Sequence, residues 1–168
     1  VSHRLEPLAD AHDIDVFDCG DPGLSDWLKK HVRHATRQGT RTYVLVEHAS
    51  NSVIGYFAVA PFLIEREQTP RRIGRGAPSR IPAILLAKLA LDRRVHGEGL
   101  GADLLVHALT TILRAARAAG GRLVVVDAVD DHAAAFYEAH DFEPLPDNPL
   151  RLVMKLSTAA RALDVPWP

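Results

Sequence analysis

The sequence predicts one α/β domain over residues 1–168, with helices laid against a sheet centred on a single apolar strand. Residues 84–91 are an apolar run dense in Leu, the length and content of a buried strand. A turn with Gly97, Gly99 and Gly101 at alternate positions leads from that run into a long segment of helical period, 100–119. β-Rich runs at 42–47, 53–60 and 123–129 alternate with helical patterns, and a chain of 168 residues buries enough surface to fold without disulfide or metal.

Residues 4–8 supply a first strand. Asp21-Pro22 opens a helix, since Asp offers an N-cap oxygen and Pro suits the first helical position. Leu24, Trp27, Leu28, His31, Val32 and Ala35 recur at i, i+3, i+4, and Gly39 closes the element. Lys29, Lys30, Arg33, His34 and Arg37 take the other side, which fits an ordinary wet face and a nucleic-acid contact equally well. Residues 48–52 are a hairpin signal between two strands. Residues 65–82, rich in Pro, Gly, Arg and Ser, have no period and read as a structureless loop. Its arginines, among them Arg71, Arg72, Arg75 and Arg80, suit an anionic partner.

In the helix 100–119, Leu104, Leu105, Ala108, Ile112 and Ala116 form the buried stripe, with Asp103, His107, Thr110, Arg114 and Arg117 opposite. Gly120-Gly121 stops it. A strand at 123–129, an Ala-rich helix at 132–140 and closing strands around a turn at 144–149 follow. Residues 157–168 are weakly patterned and read as a flexible tail.

Composition narrows the function. One cysteine, Cys19, permits no internal disulfide and agrees with a reducing cytoplasm. No run reaches the length of a membrane span, and residues 1–6 lack the apolar core of a leader, so neither membrane nor export is expected. Without a His-x-x-x-His pattern or a Cys pair no metal is expected, and no Gly-x-Ser-x-Gly elbow supports serine chemistry. The net charge of −1 hides segregation: acids crowd between Glu6 and Asp26, bases follow, and a basic face for a polyanion is available.

The glycine turn carries the chemistry. Glycine admits φ > 0 and brings main-chain N–H groups close to a ligand, and a helix N-terminus adds unpaired donors and a positive dipole end. With Arg93 and Arg94 beside it, the junction reads as a phosphate cradle. Gly97-x-Gly99-x-x-Ala102 also fits a dinucleotide fingerprint with Asp127 as its acid. Arg93 to His96 separate the strand from the first glycine, however, and only 41 residues follow Asp127, too few for the remaining parallel units.

Arg94-x-x-Gly97-x-Gly99 after an apolar strand resembles the acetyl-CoA diphosphate motif of the GCN5-related N-acetyltransferases (GNAT). Asp130-x-x-Ala133-x-x-Phe136-Tyr137-x-x-x-Asp141-Phe142 resembles that family's second motif, with Asp130 where Asn is common and Asp141 where Gly is. Phe17-x-Cys19-Gly20, Leu24-x-x-Trp27-Leu28, Thr42-Tyr43-Val44, Gly55-Tyr56-Phe57 and Ile81-Pro82-Ala83-Ile84-Leu85-Leu86 are similar to the GNAT toxins of toxin–antitoxin pairs.

The resemblance implies a GNAT fold, with a central mixed, mostly antiparallel sheet splayed at the acetyl-CoA site and flanked by helices. It implies acetyl-CoA as donor, paired with the backbone of Leu89, Ala90 and Leu91 and bound by Arg94, Gly97, Glu98, Gly99, Leu100, Gly101, Ala102 and Asp130. It also implies acetylation of the α-amino group of an aminoacyl-tRNA, a ribbon-helix-helix antitoxin and a homodimer.

For that reaction Tyr137 is the candidate general acid; from spacing alone it fits a core aromatic beside Phe136 equally well. An α-amine has a pKa of about 7.7–8 and demands no strong base. His31, His34, His96 and His107 therefore read as surface or packing residues before bases. Lys29, Lys30, Arg33, Arg37, Arg71, Arg72, Arg75 and Arg80 are the candidate tRNA contacts. Other amine substrates, small molecules or a protein N-terminus, and a non-catalytic acetyl-CoA-binding module stay open.

Overall fold

The computed structural model describes residues His3–Pro168; Val1 and Ser2, part of the stretch read for a leader, lie outside the described residues. The chain forms two compact units, one of the residues up to Ala60 with Ala87–Ala108, the other of Pro61–Leu86 with Leu109–Pro168. Three elements run through both: strand β3 (Val53–Glu65), strand β4 (Arg80–Leu91) and helix α4 (Leu100–Ala119).

In the first unit β1 (His3–Pro7) and β2 (Arg41–Glu47) pair antiparallel, as do β2 and β3, and the strand order is β1-β2-β3-β4. Between β1 and β2 lie α1 (Pro22–Asp26), a π turn (Trp27–His31) and α2 (Val32–Arg37). Asp21 caps α1 as expected, its Oδ1 accepting from Leu24 N at 2.9 Å, and Gly39 ends the segment at φ +108°. The π turn was not legible. Its extra residue per turn keeps Leu28 and Val32 buried but carries His31 out of the expected apolar stripe into solvent. Phe17, Leu28, Val44, Val46, Val53, Tyr56 and Ala90 form the core, with Trp27 stacked on Tyr56. At Gly55 a Cβ would lie 2.9 Å from Leu91 Cδ2, so any larger residue would have to displace that side chain where β3 runs beside the end of β4.

In the second unit β4 and β5 (Leu123–Asp127) are parallel, with Ala83 opposite Leu123 and Leu86 opposite Val126. β5 pairs antiparallel with β7 (Asn148–Lys155), and β6 (Glu143–Leu145) with β7, giving the order β4-β5-β7-β6. The ladders are thus mixed and mostly antiparallel. Residues 123–126 are all buried, the pattern of a strand covered on both faces. α5 (Asp131–Ala139) follows β5, and β6 and β7 reach into the expected turn, leaving Pro146 and Asp147 between them.

Two expectations are corrected here. Residues 65–82 are not structureless: they form a 3₁₀ turn (Arg66–Gln68), a helical turn α3 (Arg71–Gly74) and the start of β4. Arg66 holds the excursion closed, its N–H donating to Ser79 O at 2.8 Å and its Nη1 to Ala77 O at 2.7 Å, while Ile73 and Ala77 join the core with Ile81, Leu123 and Val153. Within the expected tail, Leu156–Ala162 is helix α6 with Leu156, Ala159 and Ala160 buried. Those residues have helical spacing, but alanines carry little apolar signal until something packs on them. Among the described residues no helix is long and apolar enough to cross a membrane.

Candidate active site

The glycine turn grows out of the end of β4. Asp92, 2% exposed, caps the 3₁₀ turn Arg93–Val95. Its Oδ1 accepts from Arg94 N at 2.9 Å and Arg94 Nε at 2.8 Å, and its Oδ2 from Asp18 N at 3.0 Å and Arg94 Nη2 at 3.2 Å. Burial opposes the charge on Asp92, but the guanidinium and the two backbone donors outweigh it and hold the carboxyl below the usual range. Arg93 N donates to Asp18 O at 2.9 Å, so the 18 loop and the turn are joined from both sides.

This network changes the electrostatic picture drawn from sequence. Arg94 is committed to Asp92, with Glu47 at 3.9 Å, and Arg93 lies 3.6 Å from Asp18. Both guanidiniums are thus paired with acids while their side chains stay partly exposed, and main-chain N–H groups add to the pull on an anion. Gly97 and Gly99 hold φ of +80° and +77°. A Cβ on either would meet no protein atom within 4 Å, so it is the left-handed backbone, not crowding, that requires Gly. The turn delivers Leu100, Gly101 and Ala102 to the N-terminus of a 20-residue helix, where the first N–H groups have no intrahelical acceptor. Such a set of donors fits a diphosphate. Exposed Glu98 adds only its main chain to that set. The Nε2 of His96 pairs with Leu91 O at 2.8 Å, closing the strand end onto the turn. His31, His34 and His107 are exposed.

In the second unit Asp130 is the N-cap of α5, its Oδ1 accepting from Ala133 N at 2.8 Å. The acid therefore performs the backbone duty an Asn would perform there. Tyr137 is buried at 6% exposure, edge-on to Phe136 and Phe142. Its hydroxyl has no hydrogen-bond partner among the described residues. It is also not a sealed atom, for the one fully buried unpartnered side-chain oxygen found there is Thr42 Oγ1. Burial raises the phenol pKa well above its ordinary value, so the proton stays on at neutral pH.

The end of α5 fixes that ring. Phe142 N donates to Tyr137 O and Asp141 N to Glu138 O, a Schellman motif in which Asp141 takes the left-handed position at φ +72°. The ring pair Tyr137–Phe142 is its hydrophobic contact. Asp141 thus replaces the expected Gly without losing the turn.

The eight candidate tRNA contacts are all exposed. In the first unit Lys30 lies 3.7 Å from Asp26 and Arg33 3.9 Å from Asp10, whereas Lys29 and Arg37 enter no ion pair among the described residues. In the second, Arg72 pairs with Glu143 and Arg80 with Glu65, whereas Arg71 and Arg75 enter no ion pair among the described residues and line one cleft of about 730 Å³. Sequence reasoning missed Asp92 and Asp18; the available signal was an acid directly preceding two arginines. Among the described residues no cluster of His, Cys, Asp or Glu is placed to hold a metal ion.

No protein-family model matches the chain. It is 38% identical over 157 residues to a tRNA-acetylating toxin of Mycobacterium tuberculosis, covering 93% of each chain. It is similar to a solved structure of AtaT complexed with acetyl-methionyl-tRNAfMet, at TM-score 0.86 and 29% identity over 96% of this chain and 99% of that one. A Tyr-to-Phe variant of AtaT bound to the C-terminus of the antitoxin AtaR and acetyl-CoA gives TM-score 0.81 and 29% identity, over 96% and 98% of the two chains.

Proposed function

The chain belongs to the GNAT toxins of toxin–antitoxin systems, and from that premise we propose that it is an acetyl-CoA-dependent N-acetyltransferase that caps the α-amino group of an aminoacyl-tRNA and so blocks translation. The observation that carries the reading is the turn from Asp92 to Leu100, braced by a buried carboxylate and opening two left-handed glycines onto a helix N-terminus. That geometry suits a diphosphate, and a tRNA-acetylating relative supports the acceptor.

When bound, acetyl-CoA supplies a thioester whose acyl carbon is open to an amine. Gly97, Glu98, Gly99, Leu100, Gly101 and Ala102 offer N–H groups to the diphosphate. Arg94 serves through Asp92 by holding their turn. The backbone of Leu89, Ala90 and Leu91 would pair with the pantetheine arm, and a fixed N–H would polarise the thioester carbonyl. Tyr137 holds a proton at neutral pH and would give it to the departing sulfur, a step that typically contributes about 10²–10⁴-fold. No residue is assigned as base, because the amine is largely or partly neutral near pH 8. Lys29, Lys30, Arg33 and Arg37, with Arg71, Arg72, Arg75 and Arg80, hold phosphates and position the tRNA without reading bases.

In this reading residues 1–168 act as one acetyltransferase domain, as a cytoplasmic homodimer neutralised by a ribbon-helix-helix antitoxin. Charged tRNA and radiolabelled acetyl-CoA test the activity: label is expected in the tRNA fraction, and label only in polyamine or peptide acceptors would overturn it. Sedimentation reports the dimer. A ribbon-helix-helix reading frame beside the gene, its product co-purifying with the chain, would identify the antitoxin.

A further inference from the structure

A cleft of about 470 Å³ in the second unit has no part in the chemistry above. It lies where α4 ends at Gly120-Gly121, β5 begins, β7 ends and the chain returns through Trp167. Arg117, Arg122 and Lys155 line it, together with Ser157 and Trp167. No Asp or Glu does, and none of the three cations enters an ion pair among the described residues. Two further clefts of this unit differ: one, which Lys155 also borders, holds Glu138, Asp141 and Glu143, and another holds Glu67.

The placement of the cations is enforced by the fold. Lys155 stands opposite Leu123 in the β5–β7 ladder, and Arg122 directly precedes Leu123, so the register brings both cations to the same end of this strand pair, where they line one cleft without an acid in its lining. Arg117 by itself is explained by the negative end of α4. Arg122 and Lys155 are not. Lys155 is half-buried and so is Trp167, which brings an indole to the same concavity. Cations beside an aromatic ring match a phosphate linked to a planar base, and the volume is that of a small-ligand pocket, too small for a duplex groove.

We infer that this cleft takes one nucleotide of an RNA strand, its phosphate drawn by Arg122 and Lys155 and its base stacked on Trp167. Under the proposed function the strand is the substrate tRNA, away from its aminoacyl end; the inference rests on that reading for the identity of the RNA.

Uncharged tRNA transcript, titrated into the full chain without acetyl-CoA across 50–200 mM salt, tests it. Arg122→Ala and Lys155→Ala are each expected to weaken binding and to reduce the logarithmic salt slope by about 1, and Arg122→Lys to restore it. Trp167→Ala is expected to weaken binding by roughly 5- to 100-fold. Melting curves confirm that each variant is folded. Variants that match wild type in affinity and slope overturn the inference. So does an oligoglutamate peptide whose binding is lost in the same variants as fully as that of RNA, which would make the cleft an acidic-peptide site. Adenosine monophosphate at millimolar concentration should not displace the tRNA; efficient displacement would reassign the cleft to a free nucleotide. Acetylation of charged tRNA separates the two readings. RNA binding through the cleft without acetyl transfer removes the proposed function alone, and transfer with unchanged KM for tRNA in all the variants removes the cleft alone.

Discussion

Replacing Asp92 with Ala tests the brace under the glycine turn. The substitution strips the acceptor from two backbone donors, Arg94 N and Asp18 N, and from the Arg94 guanidinium. Hydrogen bonds to a charged group contribute about 1.5–3 kcal/mol, and breaking a buried pair runs to about 3–5 kcal/mol. The Arg94 side chain is 46% exposed and rehydrates, so the lower end applies, about 2–3 kcal/mol. For a chain of this size that lowers Tm by roughly 4–12 °C. Acetyl-CoA affinity, read by calorimetry, should fall with it, because the N–H groups that follow lose their fixed origin. The pH dependence gives a second readout. A carboxyl that ionises more readily folded than unfolded adds stability above the ordinary carboxylate range, near pH 4, and loses it as pH falls through the folded value. The Tm gap between wild type and variant should therefore be full at pH 6 and narrow below about pH 4. A variant that melts within a degree of wild type at pH 6 and binds acetyl-CoA normally would refute the brace.

Tyr137→Phe should keep the fold, since the edge-on contacts with Phe136 and Phe142 survive, and keep acetyl-CoA affinity, while kcat falls about 10²–10⁴-fold. Unchanged turnover would remove the phenol from the mechanism. Asp141→Gly relieves a left-handed backbone at φ +72° and should stabilise by about 1 kcal/mol, a rise of roughly 2–4 °C on a melting curve. Removing unpaired Arg71 and Arg75 should weaken tRNA binding more than removing Arg72 and Arg80, which are already matched by Glu143 and Glu65. If six phosphates are contacted, wild-type affinity drops on the order of 10³ between 50 and 200 mM salt, and a flat salt response would argue against the whole basic surface.

Features whose cause lies within a few residues were determined by sequence alone. The Asp21 cap, the Leu100–Ala119 helix and its stop at Gly120-Gly121, the glycines at 97 and 99, and the left-handed Asp141 all follow from local backbone preference and short-range period. Even so, the identity of the family rested on motif resemblance, not on periodicity. Tertiary structure decided whatever depends on a distant partner. Arg94 reads as a free cation until Asp92 is seen buried against it and against Asp18, 74 residues away. The 65–82 segment reads as coil until Arg66 closes it on Ala77 and Ser79, and 157–162 reads as tail until its alanines are packed. A local pattern limits which conformations a segment tolerates. Which charges are neutralised, and which small residues are buried, follows only when remote parts of the chain are brought together, because desolvation and ion pairing act across space and not along sequence.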